Sequence, residues 1–246
     1  MSEPLSVLAG TTAAEGSKVV VKEAIKETAE STIKESVVKE SLSTIENTSL
    51  EALKTQNEAA LRSRFDELAP KNPLYENNPS RLSWINRFDK VLNGVDGYES
   101  VKMKTLSANI DSARGNFAEI VRAYRLVNAG YEVKAIGKNV ITNLGKTDID
   151  VLAYKDGKSY WVENKDVSSR MPLSKENALK LEKISDGLKN GVTDFHGNEI
   201  KIDKAVFVNK GEIGSSLIEK ARSLDIHIKE KMDARDFQRY MQNLSA

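Results

Sequence analysis

The chain has 246 residues, a formal net charge of +1, 39% hydrophobic and 30% charged residues, the balance of a globular domain with an appendage and not of a disordered or membrane-embedded chain. It contains no cysteine, which excludes disulfides, thiol catalysis and zinc-finger sites, and its two isolated histidines, His196 and His227, read as structural residues, too few for a His-based metal site. No run approaches the roughly 18 apolar residues that would span a bilayer, and the opening MSEPLSVLAG lacks the basic and apolar regions of a secretory signal.

From Lys18 to about Leu61 there is no glycine or proline, and apolar residues at Ile25, Ala29, Ile33, Val37, Leu42 and Ile45 fall close to a helical period. The pairs Glu30/Lys34 and Glu35/Lys39 support that helix, while abundant Ser, Thr and Val weaken it. Residues 1–69 are therefore expected to form a helical appendage. Three prolines between Pro70 and Pro79 break the pattern, so 70–100 reads as a Pro/Gly-rich linker. It carries a short helix over Arg81–Val91, capped by Ser80, with Trp84, Ile85 and Phe88 on one face and Trp84 expected in packing. The main domain, 101–246, opens with a helix over Ile110–Asn128 closed by Gly130. A strand over Tyr131–Ile136 follows.

The segment TDIDVLAY, Lys155-Asp156-Gly157-Lys158, SYWVENKD then forms a hairpin, because Asp-Gly between alternating apolar runs supplies the two positive-φ residues of a tight turn. In that register Asp150 faces Glu163 and Asp148 faces Lys165. Alternation places Asp148, Asp150, Glu163 and Lys165 on one face, with Ile149, Val151, Val162 and Asn164 on the other. Two carboxylates opposed across a ladder, roughly 5 Å apart at Cβ, repel each other. A bound divalent cation would remove that repulsion, so the hairpin reads as a metal site. Beyond it come a helix from Ser174, a good N-cap, to about Leu188, a strand over Lys204–Val208, a helix over Ser215–Leu224, a strand over Ile226–Ile228, and a last helix over Ala234–Asn243 expected to lie outside the core. This succession predicts an α/β sandwich with a mixed central sheet flanked by helices, preceded by a helical region.

These residues resemble the PD-(D/E)XK nucleases over about 112–230: a helix glutamate (Glu119, in Arg114-Gly115-Asn116-Phe117-Ala118-Glu119), an aspartate on one strand (Asp150, in Thr147-Asp148-Ile149-Asp150-Val151), then Glu163-x-Lys165 on the next. Asn164 is a mild departure, since an apolar residue often stands there. The resemblance implies phosphodiester hydrolysis with Mg²⁺ or Mn²⁺ held by Asp150, Glu163 and the backbone carbonyl of Asn164. Glu119 would act through water or a second metal, and Lys165 would orient the attacking water. Asp148 is a spare acid, able to pair with Lys165 or join the metal shell.

Arg114, Lys146, Ser168, Arg170, Lys175 and Lys180, with Arg122 and Lys138, are candidates to grip a phosphate backbone. Residues 101–246 hold 25 basic and 20 acidic side chains against 6 Lys and 10 Glu in 1–60, a bias compatible with a polyanionic ligand. A nuclease-like domain behind a helical appendage and a proline-rich hinge looks like the toxin end of bacterial contact-dependent inhibition and other polymorphic toxins. That resemblance implies DNA or tRNA as substrate, a cognate immunity protein, export from the producer and action in a target cell's cytosol. A resolvase- or restriction-type DNA-processing enzyme, which could be a homodimer, and a catalytically idle nucleic-acid-binding adaptor are the alternatives.

Overall fold

The computed structural model describes residues 56–244, and the chain divides into two units, Met1–Glu58 and Ala59–Ala246, of which the second is described almost throughout. The helix expected over 18–61 lies outside the described residues except for its last turns. The second unit holds the sheet and the candidate site. A helix described from residue 56 ends at 68 (α1) and is followed by a short turn of 3-10 helix, Ala69–Lys71. Then come α2 (Pro73–Glu76), α3 (Ser80–Leu92), α4 (Tyr98–Lys104) and α5 (Ile110–Asn128). Next are β1 (Glu132–Thr142), β2 (Gly145–Lys155), β3 (Lys158–Lys165), α6 (Lys175–Asn190), β4 (Val192–Asp194) and β5 (Glu199–Ile200). The chain closes with β6 (Lys204–Asn209), α7 (Ser215–Ser223), β7 (His227–Lys229) and α8 (Ala234–Leu244).

The architecture is the expected α/β one. The strands form one seven-stranded sheet in the order β5-β4-β1-β2-β3-β6-β7, antiparallel from β5 through β3 and parallel from β3 to β7. One face packs Val151, Val162, Val206 and Val208 against Ile120 and Leu126 of α5, Phe88 of α3 and Phe237 of α8. The other packs Leu152, Trp161 and Phe207 against Leu181 and Ile184 of α6 and Leu217 of α7. Phe65, Leu74, Tyr75, Ile85 and Leu92, all before residue 100, belong to the first of these cores.

Local chemistry explains the element ends. Asn109 caps α5 by accepting from the Asp111 and Ser112 amides, and Gly130 at φ 84° closes it, with Tyr131 N–H donating to Leu126 and Gly130 N–H to Val127. Ser174 caps α6 by accepting from the Asn177 amide at 3.1 Å.

Four details differ from the sequence reading. Ser80 is the first helical residue of α3, not its cap, and its hydroxyl donates to Asn78. Trp84 is 39% exposed and meets Phe88 edge-on; Ile85, Phe88 and Leu92 fill the core instead. β1 runs six residues past Ile136, and α4, β4 and β5 were not foreseen. The last helix lies in the core, with Phe237 and Met241 fully buried and Met241 O accepting from the Tyr131 hydroxyl at 2.9 Å.

Candidate active site on the splayed hairpin

The β2–β3 turn has the expected form, with Asp156 at φ 51° and Gly157 at φ 72°. The register is also the expected one, from Lys155↔Lys158 to Val151↔Val162. There the ladder stops. The Asp150 carboxylate takes the place of the next backbone partner, its Oδ2 accepting from the Asn164 amide at 2.6 Å. Side-chain alternation breaks at the same residue. Ile149 packs with Leu152 and Trp161 on the α6 side, whereas Val151 packs on the α5 side. The expectation that Ile149 and Val151 share a face is thus corrected. Gly137 of β1, between the paired positions Ile136↔Val151 and Lys138↔Ile149, has φ 61°, so both strands are irregular at this level.

Because β2 leaves β3 here, Asp148 has no pair with Lys165. Its partner is Lys180 of α6, whose Nζ lies 2.7 Å from Asp148 Oδ1 and 2.9 Å from its carbonyl. The same ammonium lies 2.9 Å from Glu163 Oε2, and Lys165 Nζ lies 2.9 Å from Glu163 Oε1. Glu163 is 0% exposed, and beyond these two ammonium groups neither oxygen has an aligned donor among the described residues. Asn164 points to the opposite side, its Oδ1 accepting from Arg122 Nε at 2.9 Å. Arg122 also donates to the carbonyls of Met232 and Asp233, which ties the site strand to the start of α8.

Glu119, on α5, completes the cluster. Burial pushes its carboxyl up to about 7, helped by the Asp148 and Glu163 carboxylates and opposed by Lys104 and Lys165. Burial likewise pushes Asp150, 4% exposed, well above the usual carboxylate range, with Glu163 and Glu119 adding to the rise. Burial alone would lower both lysines, but the Glu163 and Asp150 carboxylates outweigh it and hold Lys165 and Lys180 above the ordinary lysine value. Burial would raise Asp148; the Lys180 ammonium outweighs that and holds it low.

The cluster opens into a cleft of about 1120 Å³ lined by Glu119, Asp148, Asp150 and Lys165. Among the candidate phosphate contacts, Arg114 and Ser168 line this cleft, as does Arg122. Lys180 stands among the carboxylates. Lys146 is exposed on β2, Lys138 pairs with Asp96 and Asp194, and Arg170 and Lys175 are exposed away from the cleft. Sequence reasoning missed Arg81, Phe117 and Lys210 on the cleft wall. It also missed that Lys180 joins the acidic centre, because no local spacing links a helix residue to the strand it packs on.

The donor set fits a hard divalent cation in kind: buried carboxylate oxygens, two of the groups raised first by burial and then by neighbouring carboxylates, and Glu163 oxygens held by ammonium groups. Among the described residues, however, no three acidic or histidine side chains stand as a ready-made metal shell. Two ammonium groups, those of Lys165 and Lys180, stand against the Glu163 oxygens instead.

No family model and no curated protein matches the chain. Three solved structures are similar to it in part. One is AF1548, a protein of unknown function (TM-score 0.37, 20% identity, 48% of this chain and 63% of that one). Another is VC1899 from Vibrio cholerae (TM-score 0.40, 13% identity, 75% and 56%). The third is Can2 from Sulfobacillus thermosulfidooxidans in complex with cyclic tetra-adenylate (TM-score 0.35, 15% identity, 74% and 54%). The chain thus spans between 54% and 63% of their lengths, and at these scores the likenesses carry no argument about activity.

Proposed function

We propose that this protein is a metal-dependent nuclease of the PD-(D/E)XK type, hydrolysing phosphodiester bonds of DNA or tRNA. The observation that carries the reading is the convergence of Glu119, Asp150 and Lys165 on the wall of one open cleft, with the buried Glu163 2.9 Å behind the Lys165 ammonium. Carboxylates forced together at the expense of their own ionisation are the mark of a site built for a missing positive charge. Asp150 and Glu163 would hold Mg²⁺ or Mn²⁺, with the Asn164 carbonyl as a further oxygen and Glu119 acting through water. The cation supplies charge neutralisation at the phosphoryl oxygens. Lys165, beside Glu163 and facing the cleft, would orient the attacking water and offset charge on the phosphate. Asp150 is anchored by accepting from the Asn164 amide, which would hold its carboxylate in place to bind the cation.

A panel of duplex DNA, branched DNA and total tRNA tests the reading. Wild type should cleave at least one substrate with Mg²⁺ and stop with EDTA. Asp150→Asn and Lys165→Met, checked for folding by melting, should not cleave. A wild type inert on all three overturns it. We further infer, from the resemblance to polymorphic toxins, that the nuclease acts in the cytosol of a target cell and is blocked by an immunity protein. Growth arrest on expression, relieved by Lys165→Met, is the expected sign; a tolerated wild type points to a DNA-processing enzyme.

A further inference from the structure

Next to the acidic cluster, across β1, lies a second cavity of about 250 Å³. Its outer wall is Phe195, in the turn between β4 and β5, 54% exposed and outside both cores. Lys146 of β2, two residues before Asp148, holds its Nζ 5.3 Å from the Phe195 ring centroid. The cavity's inner end is Gly137, where an added Cβ would stand 3.8 Å from Glu119 Oε2. Lys104, another wall residue, acts electrostatically on Glu119 as well. The cavity and the acidic cluster are therefore neighbours at Gly137. Its two carboxylates, Asp96 and Asp194, are taken up by Lys138, at 2.9 and 3.4 Å. What remains is a half-exposed aromatic ring with the exposed Lys146 ammonium over one face, and the exposed Lys104 elsewhere on the cavity wall.

We propose that Phe195, with Lys146, is a base-stacking platform that binds one unpaired nucleotide of the substrate strand as it leaves the cleft. This deepens the nuclease reading and rests on it. An aromatic face stacks on any base, a flanking cation takes the adjoining phosphate, and the two together give sequence-tolerant binding of single strands. The cavity matches the lower end of small ligand sites, roughly 300 Å³, which suits one nucleotide and not a duplex. Bases inside a helix present no face to Phe195. The strand crossing β1 must then be single-stranded, a loop, or locally opened.

The test is binding, measured by fluorescence anisotropy in EDTA so that no cleavage intervenes, with a labelled 12-nucleotide single strand and the same strand in perfect duplex. Phe195 is a half-exposed turn residue, so its variants should fold, which melting curves check. Stacking of about 1–3 kcal/mol per base corresponds to a roughly 5- to 150-fold rise in Kd on truncation. Phe195→Ala and Phe195→Leu should both show that rise on the single strand, Phe195→Trp should bind as tightly as wild type, and the duplex should be insensitive to all three. Affinity kept in Phe195→Ala, rescue by Leu, or equal loss on duplex overturns the stacking assignment. These outcomes are read on binding in EDTA and bear on Phe195 alone; failure of the nuclease reading is read separately, as absence of Mg²⁺-dependent cleavage by the wild type.

Discussion

Lys180→Met removes one of the two charges that hold a fully buried carboxylate. Glu163 is 0% exposed, its oxygens lie 2.9 Å from Lys180 and Lys165, and among the described residues it has no other aligned donor to fall back on. Breaking a buried pair by removing one partner costs about 3–5 kcal/mol. Here Lys165 remains, which reduces the loss, while the Lys180 contact to the half-exposed Asp148 adds at most about 1 kcal/mol. A destabilisation of about 2–4 kcal/mol in EDTA follows, or roughly 5–15 °C in melting temperature for a unit of this size. The measurement is differential scanning fluorimetry of wild type, Lys180→Met, Glu163→Gln and the double variant in EDTA. Since the loss comes from an uncompensated Glu163, the double variant should melt above Lys180→Met, and the cycle should show a coupling of at least about 1 kcal/mol. Independent, additive effects would refute the reasoning and leave Lys180 a surface residue of Asp148 alone.

Three further outcomes follow from the same geometry. Glu119 has a folded-state value of about 7 against an ordinary 4.5, so between those values the folded chain binds more protons than the unfolded one. Metal-free stability should therefore fall as pH rises from about 4.5 through 7, by an amount on the order of 3 kcal/mol at most, and Glu119→Gln should flatten the profile; an unchanged slope refutes the assignment. Gly137→Ala meets both a φ of 61° and a Val101 methyl 2.7 Å from the new Cβ, so a loss of about 1–3 kcal/mol is expected in urea titration, where a wild-type midpoint would contradict it. Arg122→Met strips donors from Asn164 and from the Met232 and Asp233 carbonyls, and hydrogen exchange should report loosening of α8 ahead of the sheet; uniform protection along the chain would contradict that.

The parts of this fold that could be read from sequence are those governed by local rules. The β2–β3 register follows from Asp156-Gly157, and the ends of α5 and α6 follow from Gly130 and Ser174. What escaped was decided by contacts between distant segments. β4 and β5, of three and two residues, exist only because β1 extends past Ile136 to offer them an edge. α8 does carry a legible apolar stripe, Phe237, Tyr240, Met241 and Leu244 at helical spacing, but not the surface it packs on; Arg122 binds the carbonyls just before the helix and Tyr131 that of Met241. The inversion at Asp150 depends on a glycine of another strand, and Lys180 reaches Glu163 because Leu181 and Ile184 seat α6 on the Trp161 face.

The pattern of carboxylates across the molecule sharpens the functional argument. Away from the centre this fold satisfies its acids well. Hydrogen bonds from the Asn198 side chain and backbone amide lead those that hold Asp194 well below the ordinary range, a bond from Lys201 and one from the Ser159 amide bring Asp203 to about 2, and the Asp236 amide lowers Asp233. Among the described residues the acids pushed upward are Glu119 and Asp150, and they meet at one place with Glu163. A chain that satisfies its carboxylates elsewhere has no folding reason to crowd three of them under two lysines. Local inconsistency confined to one cluster supports the proposed chemistry, since buried ion pairs can often be replaced by apolar residues of similar volume at little cost in stability.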